Sequence, residues 1–268
     1  QQGDSGPEVR ALQERLEELG YRPGAANGEF AAETASAVMA FQKAEGLQRD
    51  SIVGPQVLSR LDDPQAAGPK SDEPGPRVEV DLDRQIMFAI DAEGTVTTIN
   101  VSTGSGREFQ SAEEGKGIVV AHTPIGEYNV IRRIDGNREA PLGTLYRPLY
   151  FDGGWAIHGN PHVPGYPASH GCVRTADIDQ DFVFDLLEDG DPAAVQMPGL
   201  LEGQDQVLGL PRLPAIYLQV AQVSVAAIPS LENVQGPIEE RLRLREQAML
   251  YQRLELLHEE ADPLPLIA

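Results

Sequence analysis

The chain is poor in cysteine and in positive charge. Among 268 residues the only thiol is Cys172, so no intramolecular disulfide can form. A solitary thiol is either inert packing or a reactive group. Lys and Arg number 21 against 42 Asp and Glu, a net charge of −21. Such a chain releases no counterions from a phosphate backbone, which excludes nucleic acid as a partner. Long apolar runs are also missing. The longest, Ala215 to Ile228, is shorter than the ~20 residues a membrane helix needs and is interrupted by Gln219 and Gln222. What is present is ordinary for a globular chain: 41% hydrophobic and 24% charged residues, with apolar periodicity that excludes disorder throughout. At roughly 150 residues per domain the length allows one to three domains. The sequence begins at Gln1 rather than Met, as removal of a signal peptide, or trimming, would leave it.

The periodicity divides the chain. Residues 1–62 read as three short helices. Ser5 to Glu8 has the form of a capping box, followed by Val9, Leu12, Leu16 and Leu19 on one face and a Gly20 stop. A second helix is expected from Thr34 to Glu45, and a third from Pro55 with Val57, Leu58 and Leu61 inward. Residues 63–76, rich in Pro, Gly and Asp, read as a linker between separately folding units. From 77 to 198 the period becomes two: Val78, Val80 and Leu82 alternate with charges, as do Ile86, Phe88 and Ile90 after a turn at Asp83-Arg84. Short strands with Gly and Asp turns predict a mainly-β, sandwich-like domain, with one helix near Ile178 to Leu187. Residues 199–268 form an extension, with a strand or bent strand pair over Ile216–Ile228 and a helix over Pro237–Ala261. The fold class is thus multidomain, α and β.

The chemistry concentrates between Trp155 and Arg174. Cys172 follows His170 by two residues and His158 by fourteen. A free thiol is only a few per cent ionised near neutral pH, and an adjacent imidazole can take its proton or stabilise the thiolate. Gly171 lets backbone N–H groups converge on one point, as an oxyanion site requires. Thiol, base and backbone donors together point to acyl transfer through a thioester. Spacing alone leaves both His158 and His170 as candidate bases. His162 stands four residues from His158, but Pro161, Pro164 and Gly159 forbid the helix that would bring the pair onto a metal.

The run Ser169-His170-Gly171-Cys172-Val173-Arg174, with His158-Gly159 upstream, resembles the signature of the L,D-transpeptidases, the YkuD-domain family. Thr123-Pro124-Ile125-Gly126 resembles that family's Thr-Pro-x-Gly turn. The N-terminal unit resembles the helical peptidoglycan-binding domain in Leu12-Gln13, Leu19-Gly20-Tyr21, Phe41-Gln42, Gly46-Leu47 and Val53-Gly54-Pro55. Ser51 departs from it, standing where that family has Gly, and the turn there is expected to be strained or reshaped. The resemblance implies that Cys172 is the nucleophile, that His158 is the base oriented by the Gly159 carbonyl, and that amides around His170, Gly171 and Cys172 hold the oxyanion. It implies further that Arg174 braces the catalytic loop or meets a substrate carboxylate, that peptidoglycan is the partner, and that neither metal nor organic cofactor takes part. Ser169 is expected against substrate, and Trp155 and Tyr166, which flank the motif, are candidates to line the substrate groove, with a core place favoured for Trp155 and a rim place for Tyr166. The implied reaction releases D-Ala from a tetrapeptide stem and makes a 3→3 cross-link in the cell envelope. The fourteen-residue gap is at the short end of the family's range, so substrate shape transfers less well than the chemistry. Water or another nucleophile as acceptor would instead give a carboxypeptidase or a protein-to-wall ligase. A non-catalytic wall binder is disfavoured by the intact Cys and His. A papain-like protease is disfavoured by the β-rich pattern and by a Cys that follows its His.

Overall fold

A computed structural model describes residues 1–111 and 115–197. The strand and helix expected within 199–268 lie outside the described residues. The elements, in chain order, are helices α1 (Pro7–Glu18), α2 (Ala32–Ala44) and α3 (Pro55–Asp62), then β1 (Arg77–Asp81), β2 (Ile86–Ile90), β3 (Val96–Asn100), β4 (Glu108–Gln110), β5 (Ile118–Val120), β6 (Gly126–Asn129), β7 (Arg132–Arg133), β8 (Asn137–Ala140), β9 (Gly143–Asp152), β10 (Trp155–Gly159), β11 (Val173–Thr175), α4 (Asp177–Leu186) and β12 (Pro192–Gln196).

The strands form two facing sheets and a hairpin. One sheet has the order β3-β2-β1-β12-β6, the other β11-β10-β9-β7 with β8 beside β9, and β4 pairs with β5. The first core lies between the sheets and under α4: Val78, Val80, Met87, Ala89, Ile99 and Val195 meet Leu149, Phe151, Ile157, Val173, Val183 and Phe184. Side chains alternate along a strand, so β2 also has a second face. Ile86, Phe88 and Ile90 on that face enter a second core with Leu16, Tyr21, Val38, Phe41 and Leu61 of the helices. The sheet is therefore covered on both sides, and the helical unit is packed on it rather than tethered to it. Thr98 N–H donates to Gly20 O at 2.7 Å, and the Arg22 guanidinium lies 4.2 Å over the Phe182 ring. Arg22 Nε also meets buried Asp179 at 3.3 Å.

The linker is likewise held in place. Glu45 accepts the amides of Gln65 and Ala66, and Glu79 accepts that of Lys70 at 2.8 Å. This explains a departure from the expected alternation in β1. Arg77, Glu79 and Asp81 were expected outward, yet all are buried: residues 63–76 supply partners to Arg77 and Glu79, and Asp81 is paired with Arg84, whose Nη1 reaches Ala67 O.

Three local expectations need correction. The capping box does not form: α1 starts at Pro7 with Gly6 as its cap and no side-chain cap bond, because Ser5 is drawn into a bridge with Glu29. The second helix starts at Ala32, since the Thr34 hydroxyl is committed to Pro23 O at 2.8 Å and to Gln13 Nε2 at 2.9 Å. Leu58 is 54% exposed on the outer face of α3. The turn at Ser51 keeps a left-handed φ of 58° despite its side chain, held by its amide to Gln42 Oε1 and its hydroxyl to Ala35 O.

Candidate active site

The site grows from the parallel pair β10 and β11. Ile157 lies opposite Val173 and His158 opposite Arg174. Ile157 and Val173 point into the first core, so by alternation Cys172, Arg174 and His158 fall on the other side of their strands. On that side Cys172 packs against Leu145, Tyr150 and Ala156. The Arg174 charge is felt by both the thiol and the imidazole.

His158 is 5% exposed. Its Nδ1 lies 2.8 Å from Gly159 O, so Nδ1 carries the proton and Nε2 keeps a lone pair. Gly159 has no room for a side chain, because a Cβ would stand 2.6 Å from Asp177 Oδ1 and 2.7 Å from Tyr146. Burial is the main cause holding the His158 pKa down to about 4; the Gly159 bond opposes it and Arg174 adds to it. Burial also pushes the Cys172 thiol above its ordinary value, against the Ala156 backbone and Arg174. At neutral pH the resting pair is therefore thiol and neutral imidazole, not thiolate and imidazolium.

The loop carrying Cys172 is fixed from within. Ser169 is buried, and its hydroxyl donates to Cys172 O at 2.6 Å while accepting the Gly171 amide at 3.0 Å. Ser169 is thus a clamp of the loop. The Gly171 amide is engaged within the loop by this bond. Thr123 of the Thr-Pro-x-Gly turn donates to Gly171 O at 2.6 Å and accepts the Gly104 amide at 2.9 Å. Gly171 has φ +137°, and a Cβ there would meet Trp155 Nε1 at 2.6 Å and His122 O at 2.7 Å. Trp155 accordingly forms part of the bed beneath the loop, its indole N–H given to His122 O at 3.1 Å.

The remaining expected residues are spread. His170 is exposed, its ring 4.7 Å from that of Phe109 on β4. Tyr166 is 59% exposed at the rim, and its carbonyl accepts the Ser102 hydroxyl. Arg174 is half-buried, and no carboxylate pairs with its guanidinium among the described residues. His162 is exposed, with its amide on Asn160 Oδ1. The residues that sequence reasoning missed are the supports: Thr123, which the Thr-Pro-x-Gly match flagged without assigning, and Ser102, Thr103 and Phe109, for which no motif signals.

A β-sandwich with a cysteine at the head of one strand and a buried histidine on its neighbour has the architecture of an L,D-transpeptidase catalytic domain. The model of that domain matches residues 75–195, and the peptidoglycan binding domain matches residues 5–61. A crystal structure of an L,D-transpeptidase from Xylanimonas cellulosilytica is 42% identical, covers 73% of this chain and 96% of that one, and superposes with a TM-score of 0.67. The chain belongs to the L,D-transpeptidase, or YkuD, family, with a peptidoglycan-binding domain on its N-terminal side. Curated relatives match over shorter stretches. N-acetylmuramoyl-L-alanine amidase CwlM of Mycobacterium tuberculosis is 41% identical over 56 residues, 21% of this chain and 14% of that protein. An uncharacterized protein of Kitasatospora aureofaciens is 44% identical over 62 residues, 23% of this chain and 52% of that protein.

Proposed function

We propose that this protein uses Cys172 to cross-link peptidoglycan stems in the cell envelope. The reading is supported above all by the His158 Nδ1 bond to Gly159 O, which leaves Nε2 unprotonated on a residue that strand alternation puts on the same face as Cys172. As the thiol attacks the carbonyl between the third and fourth residues of a tetrapeptide stem, its proton passes to Nε2. The amides of Cys172 and His170 receive the oxyanion. The proton then goes to the departing amine of D-Ala, leaving a thioester. A side-chain amine of a second stem attacks that thioester, gives its proton to the same imidazole and releases the thiol with a 3→3 cross-link. The Arg174 guanidinium, which no carboxylate pairs among the described residues, offers a counter-charge to a substrate carboxylate. The helical unit supplies retention on the wall, which a net charge of −21 does not provide toward an anionic polymer.

Incubation with a disaccharide-tetrapeptide, read by mass spectrometry, tests this. Dimers that have lost one D-Ala are expected, and Cys172→Ala is expected to give none while remaining folded. Tripeptide products alone would make water the acceptor and the protein a carboxypeptidase. Undiminished turnover by Cys172→Ala would overturn the nucleophile.

A further inference from the structure

Helix α2 buries an amine. Lys43 is fully inaccessible at the junction of the helices with the sheet, beside the apolar cluster of Phe41, Ala44 and Ile86. A methionine or leucine there would avoid the desolvation that the ammonium suffers. That desolvation is visible in the pKa of the amine, which burial pushes down to about 7, with Arg49 adding to the push. What the amine does that no apolar side chain can is gather oxygens from three separate stretches. Its Nζ lies 3.1 Å from Gln85 O, 2.5 Å from Asn100 Oδ1, 2.7 Å from Val101 O and 3.2 Å from Pro164 O.

These oxygens belong to the support of the Cys172 loop. Beyond Val101 the chain runs as a spine beside that loop. Ser102 and Arg174 exchange both backbone bonds at 3.0 Å. Thr103 O accepts the amides of Ala168 at 3.0 Å and Ser169 at 2.9 Å, and Ser105 N–H donates to Ser169 O. Gln85 fixes the spine from below, donating to Thr103 Oγ1 at 2.6 Å and accepting the Thr103 amide at 2.9 Å. Ser169 then holds Cys172 O directly. The far limb of the loop is gripped from the helical unit as well, by Lys43 on Pro164 O and by Arg49 on Gly165 O at 3.2 Å. Gly165 sits so close to that unit that a Cβ would come within 3.0 Å of Arg49.

We propose that Lys43 is a positioning residue of the active site: from the peptidoglycan-binding unit it locks the 101–105 spine and the 164–174 loop together, and so sets the donors and Cys172 in register for acyl transfer. The helical unit is in this sense half of the catalytic scaffold as well as a wall anchor. The inference rests on Cys172 being the nucleophile.

The test uses the full chain. Acylation of Cys172 by a carbapenem, followed by intact-protein mass spectrometry, depends on where the loop donors stand; alkylation by iodoacetamide does not. Lys43→Met is expected to slow acylation by at least about tenfold while the pH midpoint of alkylation stays in place, because displacements near an ångström cost that much or more. Thr103→Val, which removes the Gln85 Nε2 acceptor and leaves Lys43 intact, is expected to give the same signature. The double variant is expected to lose less than the product of the two single effects. A folded Lys43→Met protein that acylates within twofold of wild type, with only its melting temperature lowered, overturns the proposal. Should Lys43→Met fail to fold, Thr103→Val decides: acylation within twofold of wild type is again the refuting result. A wild-type protein that takes up no acyl group sinks the nucleophile reading itself, and the positioning role with it. Normal wild-type acylation with unaffected variants sinks the positioning role alone.

Discussion

The two histidines that bracket Cys172 occupy opposite surroundings. His158 is 5% exposed on a central strand, with Nδ1 bonded and the imidazole held neutral by burial. His170 is exposed on the loop and leans on Phe109 of a hairpin whose Ile118 is 68% exposed. A base needs a fixed ring and an uncommitted lone pair, and the strand supplies both. A ring on an exposed loop can shape a surface but is oriented by little. The difference suggests a division of labour: the strand side carries the chemistry, and the hairpin side meets the substrate.

The largest effect that bears on this division is expected from exchanging the histidines one at a time. His158→Ala should slow acylation by a substrate stem or a carbapenem by ~10²–10⁴-fold, the usual contribution of a general base. Because the resting imidazole is neutral, it does not hold a thiolate, so the pH midpoint of Cys172 alkylation should scarcely move. His170→Ala should slow acylation less than about tenfold. A loss at His170 larger than that at His158, in variants with unchanged circular dichroism, would reverse the roles.

A smaller effect separates the buried histidine from the acid that opposes it in the pH dependence of stability. The folded pKa of His158, about 4, lies below its ordinary 6.5, so between these values the unfolded chain binds more protons. That contribution is intact above 6.5 and is lost as pH falls toward 4. Asp179 has the opposite sign. Burial raises its pKa from 3.8 to about 6 against the Arg22 charge, so its contribution is intact below 3.8 and is lost as pH rises through 6. Each is worth at most about 3 kcal/mol, and the two nearly cancel across the shared window. Urea midpoints from pH 6.5 to 4 should be almost flat for wild type, rise toward acid for His158→Gln, and fall toward acid for Asp179→Asn. A flat profile in both variants would mean that neither group is shifted by the fold.

The sequence was legible wherever one residue type has one physical use. Gly159 and Gly171 announced close approach and proved to have no space for a Cβ. Leu16, Val38 and Phe41 announced a helical core and lie in one. What could not be read was the coverage of each surface. Arg77, Glu79 and Asp81 look like a solvated strand face, yet all three are buried, the first two bonded to the linker and Asp81 to Arg84. Lys43 looks like a surface lysine of an amphipathic helix, because its four oxygen partners are distant in sequence and three of them are backbone carbonyls. The internal use of the Ser169 hydroxyl, which bonds Cys172 O and the Gly171 amide, is likewise a feature of the folded loop that the motif does not announce. The packing of the helical unit on Ile86, Phe88 and Ile90 also uses a second strand face that no local pattern reveals.

The smallest expected effect lies on the hairpin side. Phe109 and Val119 face each other across β4 and β5, and the Phe109 ring meets His170 at 4.7 Å with a tilt of 57°. A tilted aromatic contact of this kind is worth ~0.5–1.5 kcal/mol beyond its buried area. Its removal in Phe109→Ala leaves β10, Gly159 O and the Ser169 clamp untouched, so the proposed base and nucleophile keep their positions. The loss should therefore fall on substrate affinity: KM for a tetrapeptide stem raised by roughly 2- to 10-fold, with kcat within about twofold of wild type. Phe109→Tyr, which keeps the ring, should restore KM. If Phe109→Ala instead lowers kcat and spares KM, the hairpin reaches the reacting groups through His170, and the division between a chemical side and a substrate side fails.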